Sequence, residues 1–119
     1  MSSTKNYLVT GANSGLGLDT SRQLALLPTT KMVFLACRSE TKAQKAIDDL
    51  VLYAHVPKSK IAYVHFDASA SKENIERIIQ ELPTGETIDG LILNAGGMVS
   101  LLGRSAANRS LETHDSLTL

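Results

Sequence analysis

Apolar positions along the chain fall into two alternating patterns. The near-continuous runs Tyr7-Leu8-Val9, Lys31 to Cys37, Ile61 to Phe66 and Ile88 to Leu93 have the length of strands. Their lack of polar alternation predicts strands covered on both faces, as in a parallel sheet. Between them, apolar residues recur at three- and four-residue steps. Leu16, Leu24, Ala25 and Leu27 predict the buried stripe of a first helix, which Pro28 and Thr29-Thr30 stop. Ala43, Ala46, Ile47, Leu50, Val51 and Ala54 predict a second helix capped by Ser39, with Lys42, Lys45 and Asp48 on its wet side. Ile75, Ile78, Ile79 and Leu82 predict a third, capped by Ser71 and broken at Pro83-Thr84-Gly85. Strand and helix alternating in this way predict right-handed crossovers. The expected fold is α/β, a partial Rossmann-like doubly wound parallel sheet in the order 3-2-1-4.

In such sheets ligands bind outside the carboxyl ends of the strands, so the strand ends carry the functional information. The first strand runs into Thr10-Gly11-Ala12-Asn13-Ser14-Gly15-Leu16-Gly17. Glycines spaced Gly-x-x-x-Gly-x-Gly let the chain turn tightly, let a pyrophosphate approach without a Cβ in the way, and let the helix pack close to the strand. The N–H groups of that helix's first turn then face the anion. The spacing Gly-x-Gly-x-x-Gly is not met, because Thr20 stands where its third glycine belongs, and no Lys follows as in a Walker loop. The other strands end at Arg38, at Asp67 and at Asn94-Ala95-Gly96, so four polar or glycine-rich ends converge on one crevice. An acidic residue at the second strand's end would bind the adenosine ribose hydroxyls. Here Arg38 stands about 20 residues past the glycines instead, where a guanidinium can take a 2′-phosphate bidentately. That favours NADP(H) over NAD(H), against the alternative of a solvated arginine opening a surface loop.

Composition narrows the reading further. A chain of 119 residues is one domain at most, and short for a complete dinucleotide enzyme. Twelve basic and twelve acidic residues balance, which removes the bulk electrostatics of a nucleic-acid or membrane-surface binder and leaves small molecules as partners. The single cysteine, Cys37, excludes an internal disulfide framework and reads as a small hydrophobe buried in a strand. His65 reads as a packed or hydrogen-bonded strand residue with no second metal ligand near it in sequence. No signal-peptide pattern and no apolar run near the ~20 residues of a membrane span are visible, so a cytoplasmic location is expected. The sequon Asn108-Arg109-Ser110 is read as chance.

The glycine turn resembles that of the short-chain dehydrogenase/reductase family, whose fingerprint Thr-Gly-x-x-x-Gly-x-Gly is matched by Thr10, Gly11, Gly15 and Gly17. The resemblance extends over residues 5 to 97. It implies that Asp67-Ala68 contacts adenine and that Asn94-Ala95-Gly96, the family's Asn-Ala-Gly motif, steadies the sheet beside the cofactor. Ala36-Cys37-Arg38 is similar to the NADP-preferring branch of retinol-dehydrogenase-like, carbonyl-reductase-like and protochlorophyllide-reductase-like enzymes. The expected cofactor-binding set is therefore Gly11, Asn13, Ser14, Gly15, Leu16, Gly17, Arg38, Asp67, Ala68, Asn94, Ala95 and Gly96.

The family's chemistry also needs a helix asparagine, a serine and a tyrosine in Tyr-x-x-x-Lys. Tyr7, Tyr53 and Tyr63 all lack a lysine four positions on, so no catalytic residue is assigned. Residues 1–97 are expected to form an NADP-binding half-domain. Residues 98–119 are expected to be a polar tail without clear period until Leu111, ending in the start of a fourth helix. There Glu112 to Leu119 resembles the family's Thr-x-Asp-Gly stretch, with Ser116 in place of glycine. The chain reads as the N-terminal, cofactor-binding part of a carbonyl- or alcohol-directed oxidoreductase. A non-catalytic NADP-binding or interaction module is the alternative. A hydrolase built on His114, Asp115 and Ser100 or Ser105 is disfavoured, since no nucleophile-elbow turn accompanies them. Self-association through an exposed fourth strand is also expected, because an apolar edge pairs readily with another copy.

Overall fold

The computed structural model describes residues 4–13, 15–95 and 98–103. Strands β1 (Lys5–Thr10), β2 (Thr30–Cys37), β3 (Ile61–His65), β4 (Gly90–Ala95) and β5 (Met98–Gly103) form one sheet in the order β3-β2-β1-β4-β5. The first four are parallel, as the continuous apolar runs predicted. Leu8 and Val9 are adjacent in sequence, face opposite sides of β1, and are both fully buried. One side of the sheet packs Val9, Val33, Leu35, Ile61 and Ile92 under helices α1 (Gly15–Ala25) and α2 (Glu40–Tyr53). The other packs Leu8, Ala36, Phe66 and Leu91 under α3 (Ser71–Glu81).

Ser39 caps α2 as expected, its hydroxyl accepting from Lys42 N–H at 3.2 Å. Ser71 does not cap α3. It is the first helical residue and its hydroxyl donates to the Ala68 carbonyl at 2.8 Å, closing the short 3-10 turn Ala68–Ala70 that Asp67 caps. The stripe expected on α1 is corrected in part: Ala25 is buried and Leu24 packs against the core, but Leu16 and Leu27 are exposed, and Gly17 and Ser21 are buried beside Ala25. Small side chains at a four-residue spacing form the fully buried line of this helix, and Leu18 and Leu24 pack against the core on either side of it.

Residues 98–103, expected to open a polar tail, instead form β5 antiparallel to β4, with Ala95 opposite Met98 and Gly90 opposite Gly103. Strand β4 is thus paired on both sides, by β1 and β5, so the edge through which self-association was expected is covered. The fourth helix expected after it lies outside the described residues.

At the amino-terminal end of the sheet, away from the carboxyl ends of the strands, β1 and β4 are locked together. The N–H of Asn6 donates to the Asp89 carboxylate at 2.8 Å, the Asp89 N–H donates to the Asn6 carbonyl at 2.7 Å, and the Asn6 amide donates to the Thr87 carbonyl at 3.0 Å. No described helix is long and apolar enough to cross a membrane.

Candidate functional site

The carboxyl ends of β1 to β4 surround a cleft of about 300 Å³. That is the lower end of the range for small-molecule sites, about 300–1,000 Å³. Of the residues singled out in the sequence, Gly11, Asn13, Arg38, Ala68 and Asn94 line it. Gly11 and Gly15 both adopt φ of +59°, the left-handed conformation that side chains resist, which gives the turn after β1 its shape. Space is open where a Cβ on Gly15 would stand. Gly17 is confined in a different way. A Cβ there would lie 2.2 Å from the Gly11 carbonyl oxygen and 2.7 Å from Asn94 Nδ2.

Asn94 ties the turn to the sheet. Its Nδ2 donates to the Gly11 carbonyl at 3.1 Å, and its backbone N–H donates to Thr10 Oγ1 at 3.0 Å. Thr10 Oγ1 in turn reaches the Ile92 carbonyl at 3.5 Å. The buried Asn94 Oδ1 finds no hydrogen-bond partner among the described residues. Leu16 is half-exposed beside the glycines, Ala95 is the last residue of β4, and Ser14 and Gly96 lie outside the described residues.

Asp67 is engaged locally rather than on the cleft wall. Its carboxylate accepts from the Ser69 N–H at 3.0 Å and the Ser69 hydroxyl at 2.8 Å. These bonds hold the carboxyl below its ordinary pKa, with nearby Arg38 and His65 acting in the same direction. The neighbours Phe66 and Ala68 face the cleft instead. Cys37 lines its floor as a buried thiol whose pKa burial pushes up, as befits a structural rather than a reactive cysteine.

Sequence reasoning missed Lys42, which lines the same cleft as Arg38. A cation in the first turn of a helix opposes the macrodipole, and that local misfit was the available signal. Arg38 and Lys42 together make one wall cationic, while no carboxylate lines the cleft among the described residues. No cluster of metal-ligating side chains occurs among the described residues.

The sequence profile of the short chain dehydrogenase family matches residues 5–116. The chain belongs to the short-chain dehydrogenase family. Oxidoreductases of this family use nicotinamide cofactors. The chain is similar to a WW domain-containing oxidoreductase of Drosophila melanogaster, 34% identical over 93 residues that cover 77% of this chain and 22% of the relative. It is also similar to protochlorophyllide reductase A of Arabidopsis thaliana, a chloroplast protein, at 37% identity over 92 residues, or 76% of this chain and 21% of the relative. This short-chain dehydrogenase chain therefore spans about a fifth of the length of those relatives. Among solved structures, an actinorhodin polyketide ketoreductase holding NADPH superposes with a TM-score of 0.64 at 28% identity, covering 81% of this chain and 35% of that one.

Proposed function

We propose that this chain is the NADP(H)-binding N-terminal portion of a short-chain dehydrogenase-type oxidoreductase, with residues 1–97 forming the cofactor-binding half. The observation that carries the reading is the pairing of Arg38 with Lys42 on the wall of a cleft that Gly11 and Asn94 also line. Two cations on the cleft wall, with no carboxylate lining it among the described residues, suit a 2′-phosphate better than a bare ribose. The open space over Gly15 suits a pyrophosphate close to the backbone, with the first N–H groups of α1 as donors.

When bound, such a cofactor supplies or accepts a hydride. This chain's own residues bind and orient. The glycine turn and α1 receive the pyrophosphate, Arg38 and Lys42 receive the 2′-phosphate, and Ala68 and Phe66 flank the adenine. Asn94 holds the turn against β4. Tyr7, Tyr53 and Tyr63 each lack a lysine four positions on, so the family's proton relay is not assigned to these residues. The 119-residue chain is expected to bind cofactor without turning over carbonyls or alcohols.

Fluorescence titration with NADPH and NADH tests the reading. NADPH is expected to bind roughly ten- to a hundredfold more tightly, the worth of one charge-assisted contact, and Arg38→Asp is expected to reverse the order. Equal affinities in the wild-type chain would sink the NADP(H) assignment.

A further inference from the structure

The carbonyl of Cys37, the group immediately before Arg38, accepts two hydrogen bonds. The Phe66 N–H donates at 3.0 Å and continues the β2–β3 ladder. The second donor is a side chain, Tyr63 Oη, at 3.2 Å. Tyr63 pairs with Leu35 in the parallel register and His65 pairs with Cys37, so the phenol reaches along the strand to its neighbour's end. Tyr63 also packs against the cluster beneath α1 and α2, which fixes its ring. The far side of the same turn is tied by the Cys37 thiol on the Ser39 carbonyl at 3.4 Å and by the Ser39 cap on Lys42.

Two of these bonds converge on the carbonyl of the peptide that carries Arg38 and the other two hold Ser39 just after it, while the Arg38 side chain is exposed. A guanidinium at the end of a long side chain magnifies any tilt of that peptide. Bidentate recognition tolerates only about 0.5 Å or 10–20° of misplacement.

We propose that Tyr63 is a specificity-setting positioning residue. Through the Cys37 carbonyl it fixes the strand end that aims Arg38, and so raises the preference for a 2′-phosphorylated dinucleotide without touching the cofactor. The proposal rests on the reading that Arg38 receives a 2′-phosphate. Burial, with Cys37 and Glu40 close by, pushes the phenol above its ordinary pKa, so it keeps the proton it donates. His65 Nδ1 lies 3.3 Å from the same oxygen and competes for that single proton unless it carries its own. Arg77, from α3, donates to the His65 carbonyl and faces the pair from the other side.

The test is cofactor titration of the 119-residue chain as wild type, Tyr63→Phe, His65→Ala, Arg38→Ala and the double variant Tyr63→Phe/Arg38→Ala. Tyr63→Phe keeps the packed ring and is expected to weaken NADPH binding about three- to tenfold while leaving NADH within about twofold. In the Arg38→Ala background the same change should move neither cofactor, a coupling that a general loss of packing would not produce. His65→Ala, at an exposed position, should leave the NADPH preference at or above that of the wild type. Equal losses for NADPH and NADH in Tyr63→Phe would overturn the proposal, as would no loss or a His65→Ala variant matching Tyr63→Phe. A wild type that binds neither cofactor, or an Arg38→Ala variant that keeps the NADPH preference, would instead overturn the cofactor reading beneath it.

Discussion

Gly17→Ala isolates the role of backbone contact in the site. The added methyl would stand 2.2 Å from the Gly11 carbonyl oxygen and 2.7 Å from Asn94 Nδ2, the two atoms that bond each other at 3.1 Å. Neither neighbour is the loose end of a flexible chain. One is backbone in a left-handed turn and the other is tied to β4. Forcing a group into a packed interior costs about 1–3 kcal/mol. Separating the Asn94–Gly11 hydrogen bond adds about 1 kcal/mol, and the better helix propensity of alanine returns about 1 kcal/mol. The net loss is about 2 kcal/mol, a fall in melting temperature of about 8–16 °C for a domain near this size.

Thermal melts by circular dichroism measure that fall, and Gly15→Ala is the matched control. Nothing lies within 4 Å of its new Cβ, so only the cost of a side chain at φ +59° applies, about 1–2 kcal/mol. The two variants then separate by mechanism. Gly17→Ala displaces the Gly11 carbonyl and Asn94, whereas Gly15→Ala bears only backbone strain, displaces no neighbour and places a methyl where the pyrophosphate is proposed to sit. A Gly17→Ala chain that melts with the wild type and binds NADPH equally well would refute the close packing of α1 on the glycine turn.

Three further outcomes follow from particular bonds. Asn94→Ala removes the donor to the Gly11 carbonyl and should cost about 1–2 kcal/mol in denaturant unfolding, together with a loss of NADPH affinity; an unchanged midpoint and affinity would contradict it. Asp67→Asn should flatten the acid limb of stability. The native carboxyl is held below its unfolded value of about 3.9, so its contribution is present above that pH and is lost as pH falls through the depressed value; a stability gap to wild type that persists undiminished to pH 2 would show that Asp67 does not act by charge. Asp89→Ala leaves the buried Asn6 N–H without its carboxylate acceptor and should cost about 2 kcal/mol, more than Asn6→Ala, which keeps both backbone bonds between the strands; the reverse ranking would refute the lock between β1 and β4.

Much of the sheet was legible because parallel strands buried on both faces leave a signal that survives in one dimension. Val33 to Ala36 point alternately into one core and the other, and the run through Cys37 contains no charged or amide side chain. Strand β5 carried a usable signal too. Gly96-Gly97 between two short apolar runs is a hairpin signature, and Met98 to Gly103 contains no charge. Reading those residues as part of a longer polar tail averaged the signal away. The stripe on α1 was half misjudged for the opposite reason: Leu24 and Ala25 do face the core, but reading hydrophobicity alone added the exposed Leu16 and Leu27 and passed over Gly17 and Ser21. Gly17, Ser21 and Ala25 bury the helix by being small, and Ser21 meets its own polarity by donating to the Gly17 carbonyl at 2.8 Å.

The site divides along the same physical line. Residues whose role is a backbone conformation, such as Gly11 and Gly15 at positive φ, can be read from type and spacing, because few other residues can occupy those positions. Residues whose role depends on distance in space cannot. Lys42 was assigned to solvent by helical periodicity, and it is exposed, yet the cap at Ser39 starts the helix where its first turn borders the cleft. Tyr63 is harder still. Nothing in Ile61 to His65 marks one phenol as reaching the Cys37 carbonyl, because that contact exists only once β2 and β3 are in register. If Tyr63 does set the aim of Arg38, cofactor preference in this chain is a property of the β2–β3 pair. A lone arginine at the same sequence position would then not suffice to transfer it to another chain.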